Sequence, residues 1–382
     1  MNLLLFIAIL SLLIFVHEAG HFAVAKRAGI RVLEFGFGLP PRLIGKKIGE
    51  TIYSINLLPI GGFVRLFGED AEELADARRP EKRRLGTSGA GEATLKRAFF
   101  TQPKRVRVAV VIAGVIMNFL LGVILFSGLY TVIGIPTQTD AVLIIGIAPD
   151  SPAFSAFEIG DEVVSAAGVS VDSTVDFKRL VDERREQEIV FEILRQETLV
   201  TVHAVPRLNP PEEEGSLGVV ISPRVELVRF PIWQMPFRGA WLGLGEALGW
   251  GMTIVRGLGG ILSQLVSGVV PKDIGGPFEI YFLVSEVAAA GVVPLVQLVA
   301  ILSVNLAIVN LLPIPALDGG RLLFIGVEAV TGKKLSARAE RLTHAIGMAF
   351  LLALMLAISV QDVLRRSGAE SLGALLERVT QM

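Results

Sequence analysis

The sequence predicts a polytopic α-helical membrane protein with about four transmembrane helices, a membrane-associated β-hairpin and one small inserted α/β domain. Of its 382 residues 52% are hydrophobic and only 19% are charged, whereas soluble domains carry about 25% charged residues. The mean hydropathy is +0.61, and the apolar residues form long runs of the kind that cross a bilayer. A net charge of -1 gives no reason to expect a nucleic-acid partner. The absence of Cys excludes thiolate metal sites and cysteine nucleophiles.

The first apolar run lies at the start of the chain, from Leu3 to Val16. A signal peptide is one interpretation, since Ala23-Val24-Ala25 imitates a cleavage site. However, no Lys or Arg precedes the run, and Lys26 and Arg27 follow it, which favours an uncleaved helix that enters the membrane from outside. The stretch from Lys26 to Arg107 holds 17 of the 36 Lys and Arg residues, and this excess predicts a cytoplasmic loop.

Three further runs without Asp, Glu, Lys or Arg predict the second, third and fourth transmembrane helices. They are Val108–Ile135, Val292–Asn310 and Leu342–Val360, and each approaches or exceeds the roughly 20 residues that a helix needs to cross the hydrocarbon core. The second helix then runs outward, the third inward and the fourth outward. Another segment, Trp233–Val270, contains charges and is compatible with a fifth span or with an amphipathic segment on the membrane surface.

The cytoplasmic loop has two parts of different composition. Thr51–Ile55 resembles a strand, and Leu58–Val64 supplies a turn and a second extended piece, so we expect a β-hairpin. Glu69–Gly91 mixes acids, Arg pairs and Gly, which predicts a flexible surface stretch.

The segment Gln138–Pro223 alternates short apolar runs with turns. A helix-like stretch, Val175–Arg184, lies between its second and third runs, which indicates one compact domain of strands and a helix. The string Ile147–Ala153, followed by Gly160–Val163 and Val171–Ser173, resembles a bacterial PDZ domain. PDZ domains receive an extended peptide or its C-terminus by strand addition. The four expected strands are Val142–Ile147, Glu162–Ala166, Ile189–Leu194 and Leu199–Ala204.

The chemistry is predicted at the end of the first helix, where His17, Glu18 and His21 form the pattern H-E-x-x-H. On a helix this spacing places both imidazoles on one face, where they can share a zinc ion while the carboxylate acts as a general base. The 14 residues from Leu3 to Val16 rise only about 21 Å, so His17 should lie within the bilayer. Ionisable groups at that depth are costly and are therefore candidates for function.

A third zinc ligand is needed, and without Cys it must be His or a carboxylate. His203 belongs to the outer domain, and His344 has no partner motif, so we expect His344 to be a hydrogen-bonded polar residue. Asp318 is the best candidate because Pro313 and Pro315 break the helix before it. If Trp233–Val270 crossed the membrane, Asp318 would lie on the opposite side from His17, so we expect this segment to lie at the interface.

Taken together, these motifs resemble the site-2 protease family of intramembrane zinc metalloproteases, in its bacterial RseP-type branch. The shared features are H-E-x-x-H, the Pro59–Val64 hairpin, Gly275-Gly276-Pro277, and the N-x-x-P-x-P-x-L-D-G motif of Asn310–Gly319. The resemblance implies that His17, His21 and Asp318 bind Zn²⁺ and that Glu18 is the catalytic base. It also implies that the hairpin and Asn310 contact substrate. The substrate-binding residues expected in this way are Tyr53, Pro59, Gly61, Gly62, Phe63 and Asn310.

The expected function is hydrolysis of peptide bonds within transmembrane segments of single-span membrane proteins. The family's substrates have already been trimmed by another protease, as with anti-sigma factors and signal-peptide remnants. The resemblance places the enzyme in a bacterial inner membrane with the PDZ-like domain on the periplasmic side. Two alternatives remain: a non-proteolytic PDZ-bearing adaptor with a structural zinc site, against which the intact Glu18 argues, and a transporter, for which no inverted repeat is visible.

The complete expectation is a polytopic α-helical membrane protein with about four transmembrane helices, a membrane-associated β-hairpin and one inserted PDZ-like α/β domain. Its expected regions are transmembrane helix 1 (1–30), hairpin and basic loop (31–107), helix 2 (108–135), PDZ-like domain (136–225), interfacial amphipathic segment (226–290), helix 3 (291–320), cytoplasmic loop (321–341), helix 4 (342–362) and tail (363–382).

Overall fold

A computed structural model describes residues 2–69, 95–211, 214–269, 275–332 and 337–367. The chain divides into two compact units, Met1–Tyr130 with Pro236–Met382, and Thr131–Met235. Most of the predicted flexible stretch Glu69–Gly91 and most of the predicted tail 363–382 lie outside the described residues.

The helical unit contains seven helices within the described ranges. Four of them are long and apolar enough to cross a membrane: Asn2–Arg27, Lys104–Ile133, Val292–Leu311 and, within the last helix, Leu342–Arg366. The helices are α1 (Asn2–Arg27), α2 (Lys104–Ile133), α4 (Met235–Val266), α5 (Pro277–Ala290), α6 (Val292–Leu311), α7 (Asp318–Thr331) and α8 (Ala337–Ser367).

Helices α1 and α2 pack closely because a glycine lies between them. A Cβ atom added to Gly20 would be 2.4 Å from the carbonyl oxygen of Ala113, which is too close for any side chain. At the end of α1 nearer the chain start, Ile9 and Leu13 pack with Val284 of α5 and Leu298 of α6. This apolar cluster holds α1, α5 and α6 side by side.

The segment 226–290, expected to be one interfacial stretch, begins with the end of a strand and then forms α4 and α5. Helix α4 has 32 residues but is not among the candidate spans. A Cβ atom on its Gly243 would be 2.4 Å from the backbone nitrogen of Ser127, and one on Gly251 would be 3.5 Å from Ile308. Helix α4 therefore packs along α2 and α6.

The stretch 321–341, expected to be a loop, is helical from Asp318 to Thr331. Its Ile325 and Glu328 are buried one turn apart, so one face of α7 is covered by the rest of the unit. The sequence does not show this helix as a long uncharged run, because Arg321 and Glu328 interrupt its apolar residues.

The hairpin consists of β1 (Val32–Ile48) and β2 (Thr51–Leu66). Both strands fold back on themselves, so the residues Glu34–Phe37 have partners on two sides. Phe35, for example, pairs with Val64 on one side and with Tyr53 on the other. The segment Gly62–Leu66 of β2 therefore forms an outer edge of this small sheet.

The second unit is a mainly antiparallel sheet with one helix, α3 (Thr174–Asp182). The strands are β3 (Ile135–Ile147), β4 (Glu162–Ala166), β5 (Val169–Ser170), β6 (Ile189–Arg195), β7 (Thr198–Ala204) and β8 (Val219–Val228). The sheet order is β7-β6-β4-β3-β8, and β5 pairs with β4. Strands β5 and β8 were not predicted from the sequence, and β8 extends past the expected domain end at residue 225.

This unit has its own hydrophobic core. Phe177 of α3 stacks obliquely on Phe191 of β6, and Phe157 meets the same ring edge-on. At the helix start, the Ser173 hydroxyl accepts a hydrogen bond from the Asp176 backbone N–H, as an N-cap residue does. The unit is thus a self-contained β domain with one covering helix.

Candidate active site

His17 and His21 lie on one buried face of α1. Their side chains are separated by one helical turn, and their Nε2 atoms are 3.1 Å apart. Both residues are less than a tenth exposed. The i, i+4 spacing brings both rings to the same point, as the sequence predicts.

Asp318 joins the two histidines from a distant part of the chain. Its Oδ2 atom is 3.0 Å from Nε2 of His17 and 3.2 Å from Nε2 of His21. Among the described residues, these three form the one group of His and acidic side chains whose ligand atoms converge on a common point.

The backbone before Asp318 is irregular, and this irregularity directs the carboxylate inward. Helix α6 ends at Leu311, since Pro313 and Pro315 have no N–H to continue its hydrogen bonding. Ala316 has a positive φ of 79°, which is unfavourable for a residue with a Cβ atom. Helix α7 then starts at Asp318, so residues 312–317 form the whole connection between the two helices.

Each histidine has a second contact through its other ring nitrogen. Nδ1 of His21 is 2.8 Å from the carbonyl oxygen of Val110, which can only accept, so Nδ1 carries the proton. Nδ1 of His17 is 3.3 Å from the carboxamide of Asn118. Both contacts come from α2, which therefore orients both rings.

These contacts make the cluster suitable for a cation. In its neutral form, with the proton on Nδ1, His21 directs a bare Nε2 lone pair at the Asp318 carboxylate. Oδ2 of Asp318 is itself buried without a well-oriented hydrogen bond. Lone pairs that converge in this way repel one another unless a proton or a metal ion lies between them. Four tetrahedral zinc ligands at about 2.0–2.1 Å would lie about 3.3 Å from one another, close to the three separations observed here.

Gly114 of α2 leaves open the space beside the cluster. A Cβ atom at this position would be 2.4 Å from Nε2 of His21 and 2.7 Å from Cε1 of His17. The sequence analysis did not identify Gly114 or assign a role to Asn118. The one signal for Asn118 was that it is the only strongly polar side chain in its apolar run.

Glu18 lies beside the cluster and contacts the hairpin. Its Oε2 atom accepts a hydrogen bond of 3.1 Å from the backbone N–H of Val64. Val64 belongs to the outer edge of the hairpin sheet, so this N–H points away from the paired strand. The side chain is only partly buried.

The hairpin residues expected to bind substrate lie against α1. The Ser11 hydroxyl donates to the carbonyl oxygen of Pro59 over 2.6 Å and accepts from the N–H of Gly61 over 3.2 Å. A Cβ atom on Gly62 would be 3.4 Å from Phe15 of the same helix. The turn is thus fixed to α1 about two turns before His17.

The other expected substrate residues have different surroundings. The Tyr53 ring packs edge-on against Phe22 and Phe35, inside an aromatic cluster between α1 and the sheet. Phe63 is half-buried and lies over Gly36. Asn310 is half-buried in the last turn of α6, without a recorded hydrogen bond to His17, His21 or Asp318.

His344 is outside the cluster, and its Nδ1 accepts a 3.0 Å hydrogen bond from the Ala316 N–H. His203 lies in the other unit, where it faces Glu188 at 3.2 Å. Neither residue joins the three ligating side chains.

Comparison with known proteins identifies the family. The model of peptidase family M50 matches residues 5–354. The chain belongs to peptidase family M50. The resemblance to the site-2 proteases is thereby confirmed, and the four apolar helices are consistent with a membrane-embedded member of this family.

Relatives of similar length are named as proteases. The regulator of sigma-W protease RasP of Bacillus subtilis is 31% identical over 94% of this chain and 97% of the relative. The zinc metalloprotease RasP of Geobacillus kaustophilus is 32% identical over 95% and 97%. The PDZ domain of an SdrC-like protein from Listeria monocytogenes matches 23% of the chain with a TM-score of 0.20 and 12% identity. That likeness is too low to assign the fold of the second unit, so a PDZ-like domain stays a prediction.

Proposed function

We propose that this M50 peptidase is an intramembrane zinc metalloprotease that cleaves within the transmembrane segments of single-span membrane proteins. This proposal depends on one observation: the side chains of His17, His21 and Asp318 converge beside Glu18. The relatives named zinc metalloprotease support the same metal and the same reaction.

The position of the cluster along α1 supports cleavage inside the bilayer. Helix α1 has 26 residues and is about 39 Å long, whereas the hydrocarbon core is about 30 Å thick. His17 lies about 22 Å from the start of the helix. With α1 centred in the bilayer, His17 lies within the hydrocarbon core.

His17, His21 and Asp318 are the proposed zinc ligands. A zinc ion bound there would polarise the scissile carbonyl and lower the pKa of a water molecule to about 7. The Val110 carbonyl holds the proton of His21 on Nδ1 and leaves Nε2 free to ligate. Asn118 would do the same for His17 with its carboxamide turned by a half-turn, so that Oδ1 rather than Nδ2 faces Nδ1.

Glu18 is the proposed general base. The Val64 N–H holds Oε2, which leaves Oε1 to take a proton from the attacking water. The same carboxyl group can then deliver that proton to the leaving nitrogen. The hairpin thus orients the base as well as bordering the site.

The edge of the hairpin sheet at Gly62–Leu66 is the proposed substrate-binding strand. A helical substrate has its carbonyl groups hydrogen-bonded internally, so it must unwind before one can be attacked. An extended substrate segment can pair with this edge next to Glu18, through backbone groups other than the N–H of Val64 and Leu66, which already bond to Glu18 and Glu69. Tyr53, Pro59, Gly61, Gly62, Phe63 and Asn310 are the residues we propose to shape this binding region.

The physiological setting is also a proposal. The relative in Bacillus subtilis is named a regulator of sigma-W, which supports anti-sigma-factor substrates, and signal-peptide remnants are a second class of short single-span substrate. We place the second unit on the periplasmic side of a bacterial inner membrane. There, as a PDZ-like domain, it would admit only substrates that another protease has already trimmed.

The test compares cleavage of a membrane-embedded reporter helix by purified wild type, Glu18→Gln and Asp318→Asn. We expect both variants to lose at least about 100-fold in rate, since a general base contributes 10²–10⁴-fold. Glu18→Gln should retain zinc by elemental analysis, whereas Asp318→Asn should bind it more weakly. Glu188→Gln, altered at a side chain that is 65% exposed in the second unit, is the control.

Two outcomes would contradict the proposal. Equal cleavage by all variants would exclude Glu18 and Asp318 from catalysis. Zinc binding with no cleavage by wild type of any reporter helix would favour the PDZ-bearing adaptor with a structural zinc site.

A further inference from the structure

Helix α8 lies next to the irregular segment that presents Asp318. Only 6% of its most apolar window is buried against the described residues, so its few close contacts are informative. Two of them involve the residues just before Asp318. Gly347 lies against Pro315, where a Cβ atom would be only 2.5 Å from the Pro315 Cβ. His344, one turn earlier on the same face, bonds to Ala316.

The hydrogen bonds of segment 312–317 leave one N–H group for a side chain. Pro313 and Pro315 have no N–H. The N–H of Leu312 bonds to a carbonyl oxygen in the last turn of α6, and those of Ile314 and Leu317 bond to carbonyl oxygens within the segment. The N–H of Ala316 instead donates to Nδ1 of His344 over 3.0 Å. This is the one side-chain acceptor recorded for the segment within the described residues.

The residue that receives this bond has an unfavourable backbone conformation. Ala316 has a φ of 79°, where its Cβ crowds the following carbonyl. Such a conformation persists only when the surroundings hold it. It lies two residues before Asp318, so relaxation of Ala316 would turn the start of α7 and move the carboxylate away from His17 and His21.

The His344 ring is oriented from a second side. It packs edge-on against Phe324 of α7, with the ring centroids 5.5 Å apart. With Nδ1 as acceptor, the neutral ring carries its proton on Nε2. One imidazole therefore connects α8, the segment before Asp318 and the helix after it.

We propose that His344 is a positioning residue for Asp318: by accepting the Ala316 N–H, it maintains the left-handed turn that brings the carboxylate to the two histidines. His344 touches neither the proposed metal nor the substrate, and it acts through the backbone. This inference rests on the proposed zinc site.

The test uses His344→Leu, which removes the acceptor, and His344→Gln, whose Oε1 can accept from the same N–H. Zinc affinity is measured by chelator competition on the purified full-length protein, and the ligand geometry is followed by visible absorption after substitution with Co²⁺. We expect His344→Leu to bind zinc about tenfold more weakly, at the low end of outer-shell effects, and to shift the Co²⁺ bands. His344→Gln should restore affinity and spectrum.

A purely structural role for His344 would lower the thermal midpoint without this pattern of rescue. Leu352→Ala is the control, because Leu352 lies on the same helix and is 54% exposed. If His344→Leu proves too unstable to purify, Gly347→Ala tests the same approach of α8 to the segment before Asp318, because the added Cβ atom displaces α8 from Pro315. We expect Gly347→Ala to bind zinc more weakly than wild type. Gly326→Ala should bind zinc normally, because a Cβ atom at that position meets nothing within 4 Å.

The outcomes separate this inference from the function on which it rests. Wild-type zinc affinity and an unchanged Co²⁺ spectrum in His344→Leu would overturn the positioning role alone. Equal defects in His344→Leu and His344→Gln would also overturn it, since the acceptor would then be irrelevant. If wild type itself bound no zinc, the proposed function would fail first.

Discussion

Gly114 determines how much room the metal site has. It is the residue of α2 that faces both histidine rings, and an added Cβ atom would lie 2.4 Å from Nε2 of His21. No flexible side-chain end absorbs that overlap, because both rings are held through their Nδ1 atoms. The site therefore requires glycine at this position, because only a hydrogen atom fits in place of a side chain.

Gly114→Ala should abolish high-affinity zinc binding and reporter cleavage, although alanine favours helix by about 1 kcal/mol over glycine. Zinc content by elemental analysis and cleavage of the reporter helix measure the two effects. Gly128→Ala is the matched control on α2, since a Cβ atom there meets nothing within 4 Å. It should retain zinc and activity. Normal zinc content in Gly114→Ala would show that the ligands do not meet at this point.

At the residue scale, the sequence was informative where one helix carries the pattern. His17, Glu18 and His21 could be predicted together because their spacing alone places them side by side. Asn118 and Gly114 could not, because their roles arise from the approach of α1 and α2 across about 90 intervening residues. Asp318 lies between these cases, since its place as the third ligand was predicted from the broken helix before it, whereas the positive φ of Ala316 that turns the chain there was not.

Helix α7 is tied to α2 at the end remote from Asp318. Arg107 and Glu328 form an ion pair of 2.6 Å, with side-chain exposures of 3% and 9%. Lys104 also donates to the carbonyl oxygen of Glu328 over 3.0 Å. Helix α2 thus contacts both segments that bear the three proposed ligands: α1 through the two histidine rings, and α7, which Asp318 begins, through Glu328.

Arg107→Met should destabilise the protein by about 3–5 kcal/mol, because it leaves Glu328 buried without its partner. For a chain of this size we expect the thermal midpoint to fall by about 4–6 °C. The double variant Arg107→Met with Glu328→Leu should recover most of this loss, since a buried ion pair can be replaced by apolar side chains. Thermal unfolding in detergent, followed by circular dichroism, measures the change.

The control for this pair is Arg105→Met, an exposed Arg two residues away on the same helix, which should change stability by less than about 0.5 kcal/mol. A single variant as stable as wild type would mean that the Arg107–Glu328 pair does not hold α7.

At the element scale, the sequence indicated long apolar helices and the general place of the hairpin. It did not indicate α7, since the charges that interrupt its apolar face hide it from a search for uncharged runs. Nor did it indicate that Glu34–Phe37 pair on two sides, because such pairing depends on where both strands fold back. Strand β8 was missed because its apolar residues Val219–Ile221 are separated from the rest by Pro223 and Arg224.

The course of the whole chain through the membrane is a further prediction. The protein has no Cys, so a single introduced Cys is the only thiol for a membrane-impermeant reagent. Ser170→Cys and Ser267→Cys, both at exposed positions, should react from the outer side. Thr331→Cys, at the end of α7, should react only after the membrane is opened.

Reaction of Ser267→Cys only from the inner side would contradict this course, since α4 would then cross the bilayer. Labelling of Ser170→Cys only from inside would place the second unit in the cytoplasm. The sequence supported these expectations through the Lys and Arg excess of the first loop. The composition of α4 alone was ambiguous, because the charges of an amphipathic helix resemble those that interrupt a span, and its interfacial placement was predicted from the need to keep Asp318 on the same side as His17.

The meeting of His21 and Asp318 also bears on how the chain stays assembled. These residues are 297 positions apart, so the proposed ion joins the first and last thirds of the protein as a cross-link would. The entropy of closing so long a loop grows only slowly with its length, and the free energy of binding is added to that of folding. Supply of metal would then govern the lifetime of the protein in the membrane as well as its catalytic activity.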